Sequence, residues 1–150
     1  CSTADERIVD FPFEQHFAHL SKDAALRRVH ILWCLAGMPD RAIEAVRRIE
    51  VDVDALRNGA LRYEYISGTI SDAQYLQRAE SSRYEQARAH FVVGVRRLGS
   101  GDRNAAREHF QRSVNFRFDY NFFTAMGRAL LSQLERDPEW PAWIGKTGEG

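Results

Sequence analysis

Residues 88–114 read RAHFVVGVRRLGSGDRNAAREHFQRSV, and within this stretch two amphipathic runs meet at a glycine-rich turn. In the first run Ala89, Phe91, Val92, Val93, Val95 and Leu98 recur at helical spacing. The turn is Gly99-Ser100-Gly101-Asp102, where Asp102 is placed to cap a second helix whose Ala105, Ala106, Phe110 and Val114 face inward. Gly101 precedes Ala106 by five residues, and the same step recurs from Gly37 to Ala42 and from Gly68 to Ala73. The three glycines lie 31 and 33 residues apart. A turn glycine at a fixed offset from a small helix residue, repeated at such a period, is the signature of a helix-turn-helix array.

Upstream of this stretch, Ser82-Arg83-Tyr84-Glu85 and Ser71-Asp72-Ala73-Gln74 are capping-box patterns; the helix opened by Ser71 is expected to end near Glu80. The preceding helix starts at Asp52 or Asp54 and carries Leu56, Ala60, Leu61 and Tyr65 to a turn at Ser67-Gly68. From Ser21 a helical stripe of Leu26, Val29, Trp33 and Ala36 runs to Gly37, and Pro39 opens a partner helix with Ala42, Ile43, Val46 and Ile49 inside. Downstream, Tyr120, Phe123, Ala125, Met126, Ala129, Leu130 and Leu134 form a last amphipathic run without a partner. Its outer side of Arg128, Gln133 and Arg136 suits a terminal capping helix. This divides the chain into a lead-in strap (1–20), a helical repeat domain (21–135) and an irregular tail (136–150). The strap contains Phe11, Pro12, Phe13 and Phe17; in the tail, Trp140 and Trp143 are expected to fold back onto the last helices.

With 150 residues and 44% hydrophobic content, the chain suits one domain burying about two thirds of its unfolded surface. Twenty-one basic and 21 acidic residues leave a formal net charge of zero, so no whole-molecule field draws it to nucleic acid or anionic lipid. All cations except Lys22 and Lys146 are arginine. Codon bias in a GC-rich genome and a demand for bidentate carboxylate or phosphate contacts both account for that excess. No apolar run is long enough to span a bilayer. The chain opens with Cys1-Ser2-Thr3-Ala4, which fits the acylated cysteine of a processed bacterial lipoprotein as well as an arbitrary start. Cys34, between Trp33 and Leu35, reads as a small buried thiol, and two cysteines so placed form neither a disulfide framework nor a metal spacing.

The quoted stretch resembles a tetratricopeptide repeat. Gly94, Gly101, Ala106 and Phe110 fall where that family has its close-approach glycine, its turn, its small residue and its aromatic. In the same frame the first pair keeps Gly37 and Ala42, with His30 and Val46 at the other two places. The second keeps Gly68 and Ala73, with Leu61 and Gln77 there. The family's usual boundary proline is absent from all three pairs. The phrase YEYISGTIS at 63–71, followed by a short helix, a full repeat and an aromatic cap, is also similar to the C-terminal half of bacterial tetratricopeptide lipoproteins of the cell envelope. Those are scaffolds for periplasmic proteases and wall-cutting enzymes. The resemblance implies an all-α, right-handed superhelical array of antiparallel helix pairs, about three and a half repeats long, closed by a C-terminal capping helix.

The resemblance further implies peptide binding on the concave face, lined here by Arg27, Ile31, Asn58, Arg62, Tyr65, Arg88, Phe91 and Val95. Arginines between apolar and aromatic groups suit a peptide bearing an acidic group or a free carboxylate. Occupation of the groove by the lead-in segment or by a second copy of the chain is an equal alternative. His16 and His19 beside Glu14 lack a third metal ligand, and His30, His90 and His109 read as packing residues. Gly99 and Gly101 have no strand before them and form no phosphate loop.

The expected function is therefore a non-enzymatic adaptor or scaffold for a protein partner, with no cofactor, metal or nucleic acid. Membrane attachment enters only through a lipid on Cys1. That anchor would place the chain on the periplasmic side of a bacterial envelope, and without it the expectation is cytoplasmic. The alternative is a regulatory or targeting region of a larger enzyme such as a kinase or protease, with a small metal-dependent hydrolase using His16 and His19 as a third reading. The aromatic ends at Phe11 to Phe17 and Trp140 to Trp143 are candidate surfaces for a homodimer.

Overall fold

The computed structural model describes residues 21–142, which form seven α-helices and, among the described residues, no strand. They are α1 (Lys22–Leu35), α2 (Pro39–Arg48), α3 (Ala60–Ile66), α4 (Asp72–Arg78), α5 (Arg83–Gly99), α6 (Arg103–Asn115) and α7 (Phe122–Arg136). Short 3₁₀ segments at Val53–Gly59 and Ala79–Ser81 precede α3 and follow α4. The chain is thus all-α. The lead-in strap, Cys1, His16, His19 and Trp143 lie outside the described residues.

Three helical hairpins share one turn chemistry. Gly37, Gly68 and Gly101 have φ of 79°, 79° and 87°, a left-handed conformation that costs glycine little. Each glycine N–H donates to the carbonyl three residues back (Cys34, Tyr65, Leu98), and the next N–H donates to the carbonyl five back (Trp33, Glu64, Arg97), at 2.9–3.0 Å throughout. Both bonds of a Schellman motif are present in all three turns. The helix starts are equally local. Ser21, Ser71, Ser82 and Asp102 accept from backbone amides of their first turns, and Pro39 stands at the start of α2. At Ser71 the box is reciprocal with Gln74. At Ser82 only the serine half forms, because the Glu85 carboxylate pairs with Arg88 instead.

Packing follows from two glycines. A Cβ on Gly94 would lie 2.7 Å from the Phe110 ring, so α5 and α6 approach at the two positions that carry the repeat resemblance. A Cβ on Gly99 would lie 2.9 Å from the Cys34 carbonyl, because α1 packs directly on α5. The first and third hairpins therefore touch, which a stack with contacts only between sequence neighbours does not produce. The second hairpin makes this possible, since the helix expected from Asp52 or Asp54 is broken: Arg57 adopts φ 48° and ψ −111°, and the α-helix starts only at Ala60.

Arginines satisfy the carbonyls left at helix C-termini. Arg47 Nε donates to Ser67 O (2.7 Å) and Arg96 Nη2 to Tyr65 O (3.0 Å), closing the end of α3 from both neighbours. Arg103 Nη2 donates to Leu134 O and Asp137 O at 3.0 Å each, closing α7. A planar donor on a long stem suits such bridging between elements.

The last helix sits differently from expectation. Phe123, Thr124, Gly127, Leu130, Leu131 and Leu134 are buried, whereas Ala125 and Ala129 face solvent. Tyr120, expected inside, is fully exposed because α7 begins only at Phe122 and the loop before it turns at Arg117 with φ 59°. Trp140 packs half-buried on the core, as expected of the tail.

Candidate functional site

A cleft of about 150 Å³ opens where α1, α3, α5 and the start of α7 converge. Asp23 and Arg27 reach it from one face of α1, four residues apart. Arg62 comes from α3, and Tyr84, Arg88 and Phe91 come from one stripe of α5. Phe122 and Phe123 close the far wall, with Asn121 beside them.

Each guanidinium is held differently. Arg62 is buried and pairs with Asp23. Arg88 is buried, pairs with Glu85 and donates to the Asn58 carbonyl. Burial pushes its pKa down, but the bond to Glu85 outweighs this, so the net direction is up. Arg27 is half-buried and makes no ion pair among the described residues; its guanidinium lies 4.6 Å over the Phe122 ring. Burial, and then the neighbouring Arg62, lower its pKa. Among the described residues three guanidiniums face two carboxylates, which leaves Arg27 without an ion-pair partner of its own in a partly dry cleft. In and beneath the cleft, Nε of Arg27, Nε of Arg88, Oε2 of Glu85 and the hydroxyl of fully buried Tyr75, which lies in the fields of Arg88 and Arg62, are out of solvent and have no hydrogen-bond partner among the described residues.

The walls are aromatic. Tyr84 stands 5.5 Å from the Arg88 guanidinium and meets Phe118 and Phe123 edge-on at 5.6 and 5.4 Å. Phe91 meets Phe122 edge-on at 6.4 Å. Tyr84 and Phe122 are exposed at the rim. A cationic floor beneath an aromatic rim offers a fork for an oxyanion and desolvated area for an apolar side chain.

Of the eight sequence-predicted lining residues the cleft brings together Arg27, Arg62, Arg88 and Phe91. The others lie elsewhere. Ile31 and Val95 are core residues, buried because α1 packs on α5. Tyr65 is fully buried, stacked on Tyr75 at 4.7 Å, bonded through its hydroxyl to Asp72 (2.6 Å) and covered by Arg96 at 4.1 Å. Asn58 has an exposed side chain on the 3₁₀ segment and offers Arg88 only its carbonyl. Asp23, Tyr84, Glu85 and Phe122 were missed. The spacings Asp23/Arg27 and Tyr84/Arg88 held a signal for the first two, whereas the approach of Phe122 depends on how α7 docks.

The histidines divide by location. His30 is buried in the core, with its Nε2 3.6 Å from Cys34 Sγ; burial pushes it down to about 3 and pushes the Cys34 thiol up to about 12. His90 and His109 pair across α5 and α6, Nδ1 to Nδ1 at 3.0 Å. Among the described residues no three His, Cys, Asp or Glu side chains are grouped to hold a metal ion, and no helix is long and apolar enough to cross a membrane. In comparisons with known family profiles, curated proteins and solved structures, the chain finds no match.

Proposed function

We propose that the chain is a non-enzymatic adaptor of tetratricopeptide type, an array of helix pairs that holds an extended segment of a protein partner in the cleft between α1, α3, α5 and α7. The repeat reading is supported by the three identical glycine turns and by the Gly94–Phe110 approach. The binding reading is carried by one observation, Arg27, which makes no ion pair among the described residues, beneath the exposed rings of Tyr84 and Phe122. The ligand feature that matches is a carboxylate next to an aromatic residue. The carboxylate would sit against the half-buried Arg27 guanidinium, with Arg88 behind it, and the ring against Phe122 and Tyr84.

The cleanest probe is Arg27→Gln, since Arg27 makes no ion pair among the described residues and its loss leaves the scaffold bonds of Arg62 and Arg88 in place. A short peptide ending in phenylalanine and aspartate with a free C-terminus is expected to bind, its C-terminal amide at least tenfold more weakly. Arg27→Gln should lower affinity for the free acid by tenfold or more, about 1.4 kcal/mol. Equal binding of acid and amide, or an unaffected Arg27→Gln protein, would overturn the assignment.

A further inference from the structure

A second pocket, an open surface depression of about 360 Å³, shares no lining residue with the cleft and belongs to the third hairpin alone. Its walls are Arg83 and His90, seven residues apart on one face of α5, and Arg112 and Asn115 at the end of α6, with Phe116 following. None of the five is acidic, and neither Arg83 nor Arg112 makes an ion pair among the described residues. Phe116 is the floor. The Arg83 guanidinium lies 5.8 Å from its ring, and the His90 ring stacks at 6.5 Å on it. Asn115 already accepts through Oδ1 from Gln111 (3.0 Å), so its amide N–H groups remain as donors. The N-terminus of α5 and the C-terminus of α6 meet at this corner, so their dipoles oppose and side-chain charge decides its sign.

The paired histidines add a proton-responsive element. With Nδ1 of His90 engaged by Nδ1 of His109, Nε2 is the polar atom of His90 that remains for the cavity. A proton on His90 would be bonded at Nδ1 by the lone pair of neutral His109 and at Nε2 by a ligand oxygen. The groups acting on the pair are Arg112 and Glu108 from α6, Arg97 from α5 and Asp72 from α4, where Arg97 and Asp72 neutralise each other in an ion pair.

We propose that this cavity binds a tetrahedral oxyanion, phosphate or sulfate, carried on a small molecule: Arg83, Arg112, His90 and Asn115 hold the oxyanion, and Phe116 supports the apolar part. In the empty site burial, His109 and Arg112 push His90 down to about 4. A bound dianion opposes that depression, so binding takes up a proton and tightens as pH falls.

Ring-nitrogen NMR of the full chain tests this with sulfate, whose charge is constant between pH 5.5 and 7.5. Sulfate should shift the His90 and His109 signals saturably, whereas sodium chloride at matched ionic strength should not. Affinity should rise severalfold from pH 7.5 to 5.5. Arg112→Gln and Arg83→Gln, both at exposed positions, should each weaken binding at least tenfold, and His90→Gln should remove the pH dependence. Phenyl phosphate should bind more tightly than sulfate. Signals that follow ionic strength alone, or binding equal in the arginine variants and the parent, would overturn the site. Binding to phosphatidylglycerol vesicles without any response to soluble sulfate would also overturn it, since a membrane surface and not a small oxyanion would then be the ligand.

Discussion

At the scale of single residues, the third hairpin depends on a glycine and a ring. In Gly94→Ala the new methyl would lie 2.7 Å from Phe110, an overpacking expected to cost about 1–3 kcal/mol in urea unfolding. If the ring is the obstacle, Phe110→Leu should relieve it, and the double variant should be less destabilised than the sum of the two by more than about 0.5 kcal/mol. Simple additivity would place the strain elsewhere. His30 sets a pH dependence. Its folded pKa of about 3 lies below the ordinary value near 6.5, so between these limits the unfolded chain binds a proton that the folded chain excludes. Stability therefore falls as pH drops from about 6.5 toward 3, by at most about 1.4 kcal/mol per unit from this residue. His90 and His109, also depressed, add in the same direction. His30→Leu should flatten the slope of unfolding free energy by about half a proton at pH 6.5, rising to nearly one at pH 5, and an unchanged slope would exclude His30 as its source.

At the scale of elements, what was legible in the sequence is what is encoded locally. Gly37, Gly68 and Gly101 announce their turns because only a left-handed residue closes both Schellman bonds, and Ser71 and Asp102 announce helix starts through their own hydrogen bonds. The break at Arg57 was not legible, since arginine is not a residue whose chemistry calls for φ of 48°. The outward turn of Tyr120 was also hidden, because the loop before α7 ends where helix docking requires. The arginine excess, ambiguous as composition, acquires a structural role where Arg47, Arg96 and Arg103 close helix ends belonging to other elements. Arg103→Gln should therefore fray the C-terminus of α7, seen as loss of amide-exchange protection confined to its last turn, with α5 and α6 protected as before. Uniform loss of protection would instead mark Arg103 as a determinant of global stability.

At the scale of the whole molecule, the candidate site was half legible. Arg27, Arg62, Arg88 and Phe91 converge because α1, α3 and α5 present one side to a common space. Ile31 and Val95 are buried by the direct contact of α1 with α5, which no repeat period announces, and Tyr65 by its stacking on Tyr75 under Arg96. The cleft gathers Arg27, Arg62 and Arg88, and among the described residues only Asp23 and Glu85 pair with them. The central claim is that Arg27, framed by Tyr84 and Phe122, receives a carboxylate from a partner. Arginine side-chain NMR measures this most directly, because Arg27 and Arg88 both line the cleft and the Nε of each has no hydrogen-bond partner among the described residues. On titration with the phenylalanine–aspartate peptide, the Nε–H signals of Arg27 and Arg88 should shift together and saturate, while those of Arg97 and Arg128, paired elsewhere, stay fixed. Binding that leaves Arg27 and Arg88 unmoved and shifts other arginines would contradict the account.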